Sequence, residues 1–318
     1  MFSLDQYRAL QTVAGLFPRE DRGRILLRGA DRKAYLQGLL SNDVLALEPG
    51  GWCYATLLTA QGRMISDMRV FDLGDTVLVD LERPVTAGVQ AHLENFVITE
   101  DVVVEDVTAS LAQLGLYGPR AHEVLGAAVA AVPSIAPLHT LPGNDIGIAG
   151  VDLIVPREIA AQAAAALEAA GAVPIEAETA EVTRLEAGIP RFLVDMDTST
   201  IPLEAGIEGR AISMTKGCYV GQEVIVRVVH RGGGRVAKKL VGLVSRSGTI
   251  GRDDRLHAGD REVGRVTSAV DSPRLGRRIA LGYVHREFIE PGTELTVHDT
   301  EGQVPVVVAT APFGRGEP

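Results

Sequence analysis

Aromatic residues and cysteines are scarce in this sequence. Only 4% of its 318 residues are aromatic, whereas 46% are hydrophobic, so a core must consist mainly of Ala, Val, Leu and Ile. The two cysteines, Cys53 and Cys218, lie far apart and form no CxxC pair. A disulfide framework is therefore not expected, and a reducing cytosol is the expected compartment.

Long apolar runs are also absent. No stretch approaches the roughly 20 apolar residues that a membrane helix needs. The first residues lack the basic start and the apolar run of a secretory signal. We therefore expect a folded cytoplasmic protein that has no membrane partner.

Acidic residues outnumber basic ones, which gives a net charge of −10 and a pI of about 5.3. This charge argues against a surface that binds nucleic acid throughout. The histidines show no HxH or HExxH spacing, and a lone cysteine cannot complete a tetrahedral metal site. We expect no stable metal held by this chain alone, so that metal chemistry would need ligands from a partner or a second copy.

Apolar periodicity and turn signals predict an α+β fold. Strands are predicted at 23–28, 52–59, 64–73, 76–82 and 102–104, with helices at 31–40, capped by Asp31, and at 85–96. A second unit over 111–175 has predicted strands at 111–117 and 151–155. Its two predicted helices are one that follows Gly118-Pro119 and ends near residue 131, and one over 158–170. Because helices and strands do not alternate strictly, the pattern indicates ferredoxin-like α/β layers and not a doubly wound sheet.

The composition changes after Arg235. Short strands are predicted at 236–245, 262–270, 279–284, 294–297 and 304–309, separated by turns rich in Gly, Pro and Asp. This spacing is typical of a small β-barrel or sandwich of about 80 residues. The predicted domains are a module over 1–235 and a C-terminal barrel over 236–318. Within the module, one subdomain combines 1–105 with 180–235 and the other spans 106–179.

The most unusual segment is Lys216-Gly217-Cys218-Tyr219-Val220-Gly221-Gln222-Glu223. Glycines near Cys218 leave room for close approach, and Lys216 can favour the thiolate. Cys218 is therefore a candidate nucleophile, redox centre or metal ligand. The alternative is a small buried residue, since free cysteines are often buried and inert. The segment is not a phosphate loop, because its lysine precedes its glycines.

A basic stretch follows over 227–239 and includes Arg227, Arg231 and Arg235. Its glycine run lets the backbone come close to a ligand, and carboxylates or phosphates are the natural partners of its cations. The alternative is a solvated linker between domains.

Two acidic residues are further candidates for ligand binding. Glu186, which follows Arg184 and Leu185, has a carboxylate that can accept two N–H bonds side by side, as the amino-pyrimidinone edge of a pterin requires. Asp67 lies in the predicted strand over 64–73. Taken alone, both residues are more readily explained as surface positions.

At these residues the sequence resembles the folate-binding YgfZ family, whose members are relatives of the glycine-cleavage T-protein. Residues 216–223 match the hallmark of that family at every position. The segments 35–38, 42–43, 61–63 and 184–190 are similar in order to its other landmarks. The segments 264–268 and 279–284 resemble the C-terminal barrel that the family shares with the T-protein.

The resemblance implies an aminomethyltransferase-like module around a central opening, followed by a β-barrel. It implies tetrahydrofolate or a polyglutamylated folate as ligand, with Glu186 at the position of the carboxylate that grips the pterin. Cys218 would be the functional thiol, with Lys216 beside it. The other residues predicted to contact the ligand are Arg184, Asp67, Tyr219, Gln222, Glu223, Arg227, Arg231 and Arg235.

The role implied by the resemblance is that of an accessory factor more than of an enzyme. Such a factor supports the assembly or repair of iron–sulfur proteins, notably [4Fe–4S] enzymes, including tRNA-thiolating ones. Its partners would be iron–sulfur assembly proteins or the client enzymes themselves.

One departure from the T-protein pattern concerns a pair of consecutive aspartates, because the corresponding stretch here, Ile65-Ser66-Asp67-Met68, contains only one aspartate. The T-protein needs an acidic group there to manage protonation of the folate's reacting amine during aminomethyl transfer, so the loss of one acid argues against that reaction. Two alternatives stay open. One is a folate-dependent aminomethyltransferase or demethylase. The other is a nucleic-acid-binding protein that uses the basic stretch, against which the acidic net charge and the lack of an aromatic platform count.

Overall fold

Two five-stranded sheets and a closed six-stranded barrel make up the computed structural model, which describes residues 2–231, 233–299 and 302–314. The strands are β1 (Gly15–Pro18), β2 (Arg22–Arg28), β3 (Trp52–Leu58), β4 (Met64–Asp72), β5 (Val77–Glu82), β6 (Val103–Asp106), β7 (Leu111–Tyr117), β8 (His139–Gly143), β9 (Gly150–Pro156), β10 (Val173–Pro174), β11 (Lys238–Ser245), β12 (Arg255–Ala258), β13 (Arg261–Ser272), β14 (Arg277–His285), β15 (Glu294–Asp299) and β16 (Gly302–Ala309). The α-helices are α1 (Leu4–Thr12), α2 (Arg32–Leu39), α3 (Thr86–Glu94), α4 (Ala121–Ala131), α5 (Ala160–Ala169), α6 (Ala177–Glu186), α7 (Pro202–Ala205), α8 (Glu208–Ala211) and α9 (Gln222–Val226).

The first sheet has the order β3-β4-β5-β2-β6, and its paired strands run antiparallel. Successive side chains of a strand point to opposite faces. On β4, Met68 and Val70 join a core that also contains side chains of α2 and α3. Asp67 and Arg69 therefore point to the other face, and this alternation builds the site described below.

The second sheet has the order β10-β1-β7-β9-β8. Alanines of α4 and α5, such as Ala128 and Ala163, pack on Leu116 and Leu153 of the sheet. Small side chains with high helix propensity allow this close contact between helix and sheet. The domain boundaries stay a prediction, but β1, which the sequence analysis placed in the first subdomain, pairs with β7 of the second sheet.

The third unit is a closed barrel with the order β11-β14-β13-β12-β15-β16. Its interior contains Leu243, Val266, Val284, Val297 and Val306. The α+β fold with a C-terminal β-barrel is thus confirmed, and the predicted strands of this region are present. The sequence analysis missed β12, because its four residues Arg255–Ala258 include a charged one and show little apolar character.

Two local features differ from the predictions for the first unit. Asp31 precedes α2 but makes no side-chain cap hydrogen bond, because its Oδ2 accepts from the backbone N–H of Asp101 at 2.8 Å. Pro84 is the middle residue of a 3₁₀ turn, Arg83–Val85, and the α-helix starts only at Thr86. Within the described ranges, no helix combines the length and the apolarity needed to cross a bilayer.

Candidate functional site

The polar face of the first sheet looks onto a cavity of about 590 Å³ that also reaches the second sheet and α6. Apolar walls come from Phe17, Trp52 and Ile146. The charged side chains that line it are Arg19, Asp21, Arg22, Asp67, Arg69, Glu82, Asp145, Glu181, Arg184, Arg191 and Arg210. A concave site with apolar walls and convergent polar groups is the usual form of a small-molecule site.

Buried ion pairs hold the two sheets together beneath this cavity. Arg69 lies between Asp80 of the first sheet and Asp152 of the second, with its Nη1 at 2.8 Å from Asp152 Oδ2. Arg22 donates from Nε to Asp80 at 2.7 Å and from Nη1 to Glu82 at 2.8 Å. Buried charges persist in a fold only when partners compensate the lost hydration, and these partners make the floor of the cavity rigid.

Asp67 differs from the rest of this network. Its Oδ2 accepts a hydrogen bond from Tyr54 Oη at 2.6 Å. Its Oδ1 is buried and has no hydrogen-bond partner among the residues that the structure describes. Burial raises the pKa of this carboxyl, although Arg22 and Arg210 oppose the shift. A buried polar atom without a partner is costly in a folded protein, so Asp67 marks a place for a ligand.

The pleat of β4 explains why only one of two consecutive residues can place an acidic group in the cavity. Ser66 is fully buried on the opposite face, and its Oγ donates to the backbone carbonyl of Asp67. Since neighbouring residues of a strand cannot face the same side, only one residue of the pair can reach the cavity. In this stretch that residue is Asp67, so a single aspartate is enough to supply the acidic group of the cavity.

Tyr54 and Arg210 form the wall next to Asp67. The guanidinium of Arg210 lies 4.4 Å from the centre of the Tyr54 ring, a cation–π contact. Asn42 Nδ2 donates to the backbone carbonyls of Tyr54 and Arg210, at 2.8 and 3.0 Å, and so fixes their relative position. Burial raises the pKa of Tyr54 well above its usual value, so its hydroxyl stays a donor to Asp67.

Glu186 lies outside the cavity lining. Its Oε2 accepts from Tyr7 Oη at 2.8 Å and its Oε1 accepts from Ser272 Oγ, while Arg274 Nε is 3.6 Å away. Its backbone carbonyl accepts from Phe313 N at 3.1 Å. These contacts join α6 to α1 and to the barrel. The acidic residue of α6 that lines the cavity is instead Glu181, about one and a half turns earlier on the helix. The assignment of the pterin to Glu186 stays a prediction.

Arg184 lines the cavity but is also part of the joint with the barrel. Its Nη1 donates to Asp195 Oδ2 at 2.7 Å and its Nη2 to Glu181 at 2.5 Å. Asp195 Oδ1 accepts from Thr267 and Ser268 of the barrel strand β13, at 2.5 and 2.6 Å. The segments 184–190 and 264–268, singled out in the sequence, thus meet at one buried joint.

Lys216 is buried and anchors the segment that contains Cys218. Its Nζ donates to the backbone carbonyls of Gln37 at 2.6 Å, Leu40, and Asn42 at 3.2 Å. These carbonyls lie at the end of α2, where orphan acceptors and the helix dipole favour a cation. The Lys216 ammonium therefore binds the backbone carbonyls at the end of α2. No hydrogen bond between Lys216 and Cys218 among the described residues supports its predicted effect on the Cys218 thiolate.

The thiol of Cys218 is exposed, and the preceding Gly217 has open space around it. The following residues point elsewhere. Tyr219 is buried in a cluster with Leu58 and Met64, and Gln222 and Glu223 begin the short helix α9. None of these predicted ligand contacts, from Tyr219 to Glu223, is part of the cavity lining within the described residues.

Two glycines hold the end of this segment against the turn between β3 and β4. Gly221 has a φ of +84°, and a Cβ there would lie 2.5 Å from the carbonyl oxygen of Thr59. Gly62 has a φ of +73°, and a Cβ there would lie 2.9 Å from Cβ of Val224. Only glycine suits both the backbone conformation and the space. The turn at 61–63 and the end of the segment 216–223 are therefore packed directly against each other.

The basic stretch does not reach the cavity in the part of the chain that the structure describes. Arg227 is exposed on a turn of π-helix, and Arg235 is exposed beside a shallow surface groove with Lys239 and Arg286. The side chain of Arg231 lies outside the described residues. Arg227 and Arg235, which were predicted to contact the ligand, are thus not part of the described cavity lining.

Cys53, the second cysteine of the chain, is half-buried and lines the cavity. Burial raises the pKa of its thiol to about 12, against the opposing effect of Lys216. Across the described ranges, no cluster of three or more His, Cys, Asp and Glu side chains has the arrangement of a metal site.

Of the residues that line the cavity, Asp67 and Arg184 were predicted from the sequence and Asn42 lies in the landmark segment 42–43, whereas Tyr54, Glu82 and Arg210 were not predicted. A usable signal lay in β5, Val77–Glu82, where Val79 and Leu81 alternate with Asp80 and Glu82. A strand that alternates in this way has one polar face. Arg22 and Arg24 alternate in the same way on β2. Positive charges on one strand and negative charges on another could have indicated that the two strands form ion pairs on this face.

Comparison with known proteins agrees with this architecture. Residues 2–157 match the GCVT N-terminal domain, and residues 238–314 match the glycine cleavage T-protein C-terminal barrel domain. An aminomethyltransferase of Thermosynechococcus vestitus is 32% identical over 98% of this chain and 88% of its own length. An aminomethyltransferase of Synechococcus elongatus is 30% identical over 98% and 88%, respectively.

The solved structures support the fold independently. The glycine cleavage system aminomethyltransferase T from Bartonella henselae superposes with a TM-score of 0.87, at 21% identity, over 98% of this chain and 89% of that one. The relatives matched along nearly the whole sequence carry the name aminomethyltransferase, which differs from the family that the segment 216–223 resembles. The chain therefore belongs to the glycine cleavage T-protein family.

Proposed function

We propose that this chain binds a tetrahydrofolate in the cavity in front of Asp67 and transfers a one-carbon group, an aminomethyl group as the name of its relatives suggests. The observation that carries the proposal is Asp67, which lines a cavity of about 590 Å³ and whose buried Oδ1 has no partner among the described residues. An accessory role without catalysis, which the sequence favoured, has less support from the geometry.

The residues present suit such a ligand. A cavity of about 590 Å³ lies within the usual range of roughly 300–1,000 Å³ for small-molecule sites. Asp67 and Glu181 offer carboxylate oxygens to the N–H groups of a pterin. Phe17 and Trp52 supply apolar surface for an aromatic linker, and Arg191, whose buried Nε has no partner within the described chain, suits the carboxylates of the folate tail.

Asp67 supplies the proton chemistry. When bound, tetrahydrofolate contributes two amine nitrogens that can take up a one-carbon group. Asp67 can hold or release a proton at Oδ1, while Tyr54 keeps the orientation of the carboxyl through Oδ2. Because burial raises its pKa, Asp67 takes up a proton more readily than an exposed aspartate does.

The direct test is formation of methylenetetrahydrofolate from tetrahydrofolate and an aminomethyl-lipoyl carrier protein. We expect turnover with the full chain, and loss of it with Asp67→Asn, which keeps the shape of the side chain but not its acid. Ser66→Ala is the matched control, because its hydroxyl lies on the other face of β4. The absence of turnover in the unmodified chain, under conditions in which a characterised relative is active, would remove the aminomethyl assignment.

A second candidate function rests on the exposed thiol of Cys218 within residues 216–223. This candidate is a folate-binding accessory role in the assembly or repair of [4Fe–4S] enzymes. One thiolate can bridge or hand over iron but cannot hold it alone, so such a role needs assembly proteins or client enzymes as partners.

Cells that lack the gene test this second candidate when they are complemented with the unmodified chain, with Cys218→Ser or with Cys53→Ser. The candidate requires that [4Fe–4S] enzyme activities fall on deletion and that only Cys218→Ser fails to restore them. In the purified protein, a thiol reagent should modify Cys218 before Cys53, whose thiolate is disfavoured by burial. Full restoration by Cys218→Ser would leave the transfer reaction as the better account.

A further inference from the structure

We infer that Glu82 is a second proton-carrying residue of the cavity and acts as a pair with Asp67. The inference rests on the proposed function, since it assigns a further residue to the same site. None of the motif segments named in the sequence analysis contains Glu82. Its place in the cavity lining follows from the register of the first sheet.

The geometry comes from the pairing of β4 with β5. Arg69 is the cross-strand partner of Asp80, and their side chains form an ion pair on the cavity side. This pair is the last of the β4–β5 ladder, and extension of its register by two residues on each strand puts Asp67 opposite Glu82. Since side chains two apart share a face, both carboxyl groups project to the same side of the sheet. Both line the cavity and are almost fully buried.

The charged groups around Glu82 come from several elements. Arg22, its cross-strand partner on β2, donates to Oε1 at 2.8 Å. Arg191, after α6, adds a second positive charge, while Asp67 on β4 and Asp21 before β2 add negative charge. Arg22 also serves Asp80, so its charge is divided between two carboxylates. Glu82 therefore has a site in which neither protonation state is strongly favoured.

Burial decides the balance and raises the pKa of Glu82 to about 7, against the effect of Arg22 and Arg191 and with a contribution from Asp67. A general acid or base works best when its pKa lies near the working pH. At neutral pH, Glu82 can give up a proton and become a carboxylate, and it can take one back to return to the acid.

The proton inventory of an aminomethyl transfer requires such exchange. The carbon leaves a sulfur and a nitrogen of the carrier-bound group and forms bonds to two amine nitrogens of the acceptor. Two N–H protons are released, and one ends on the departing ammonia and the other on the carrier thiol. A single carboxyl can relay these two protons only one after the other, whereas Asp67 and Glu82 together provide two proton positions in the same cavity.

Infrared difference spectroscopy of the ligand-free full chain tests the pair without reference to turnover. Spectra of the unmodified chain and of Glu82→Gln are recorded from about pH 5 to about pH 9. We expect the unmodified chain to lose a carboxylic-acid C=O band with an apparent pKa of about 7, and Glu82→Gln to lack that band. In Asp67→Asn the band should persist but titrate at lower pH, because the neighbouring charge is gone.

The transfer assay supplies the functional readout. Glu82→Gln should lower kcat/KM at neutral pH by about 10²-fold and remove the corresponding limb of the pH profile. Glu82→Asp, which keeps a carboxyl, should retain the limb with a shifted midpoint and guards against a folding defect. A titrating band that is unchanged in Glu82→Gln, or a pH profile identical to that of the unmodified chain, would overturn the inference. Failure of tetrahydrofolate to bind, with the band still present, would instead contradict the proposed function.

Discussion

The cavity around Asp67 and the joint between α6 and the barrel both contain buried carboxylates, yet they differ in how these are satisfied. Asp67, Glu186 and Asp195 are 7%, 4% and 3% exposed, so burial alone does not separate them. Both oxygens of Glu186 and of Asp195 accept hydrogen bonds from protein groups. Asp67 keeps one oxygen without a partner among the described residues. The unsatisfied carboxylate, not the most buried one, indicates the site.

The same contrast explains which sequence landmarks are structural. Glu186 connects α6 to Tyr7 and Ser272, and Asp195 connects Arg184 to Thr267. These contacts hold the barrel against the two sheets. A motif can therefore mark a joint between domains as readily as it marks a ligand contact.

The largest expected effect is the loss of transfer in Asp67→Asn. Removing a general acid or base should lower kcat/KM by about 10²–10⁴-fold, with little loss of stability, because a desolvated carboxyl is replaced by a neutral amide. Rates and thermal unfolding are measured on the same preparation. Retention of activity within a factor of about two would place the proton chemistry elsewhere.

Glu82 should make stability depend on pH in a direction opposite to that of most paired carboxylates. Its pKa is raised from 4.5 to about 7 in the folded chain. The folded state therefore binds the proton more tightly, so this stabilisation is complete below pH 4.5 and is lost as the pH rises through about 7. The change is on the order of 3 kcal/mol.

Chemical denaturation at several pH values, compared between the unmodified chain and Glu82→Gln, measures this difference. The glutamine variant cannot titrate at this position, so the gap in unfolding free energy between the two proteins should change with pH over that window. A constant gap would mean that Glu82 has the same pKa in the folded and unfolded chains.

A smaller effect on stability is expected for Glu186→Ala. The variant leaves Tyr7 and Ser272 without their acceptor and should lower the free energy of unfolding by about 1–3 kcal/mol. Glu287→Ala, on the barrel surface, is the control and should be nearly neutral. If Glu186→Ala unfolds like the unmodified chain but binds tetrahydrofolate more weakly, Glu186 grips the pterin and the joint is not its role.

The smallest expected effect belongs to Lys216→Met. Loss of the cation at the end of α2 should cost about 1 kcal/mol and loosen the segment that carries Cys218. Amide hydrogen exchange of residues 216–223 reports this loosening, and Lys239→Met, a half-buried lysine of the barrel strand β11, is the control. Unchanged exchange at these residues would show that the glycine contacts of Gly62 and Gly221 suffice to hold the segment.

Local patterns predicted most elements of the fold, because β4, β5, α4 and the barrel strands have clear periodicity or turn signals. The short strands β1, β8 and β12 have too few residues for periodicity to show. In the site, Asp67 and Arg184 were found from motifs, whereas Glu82 and Arg210 were not. Their role depends on which face of the sheet packs against another domain, and a single strand's sequence does not contain that information.

Binding of tetrahydrofolate, measured by titration calorimetry, tests the central claim most directly when Asp67→Ala and Glu186→Gln are compared with the unmodified chain. The account predicts binding to the unmodified chain, at least about tenfold weaker binding to Asp67→Ala because a charge-assisted contact is lost, and unchanged affinity in Glu186→Gln. Equal affinity in the unmodified chain and in Asp67→Ala would contradict the account.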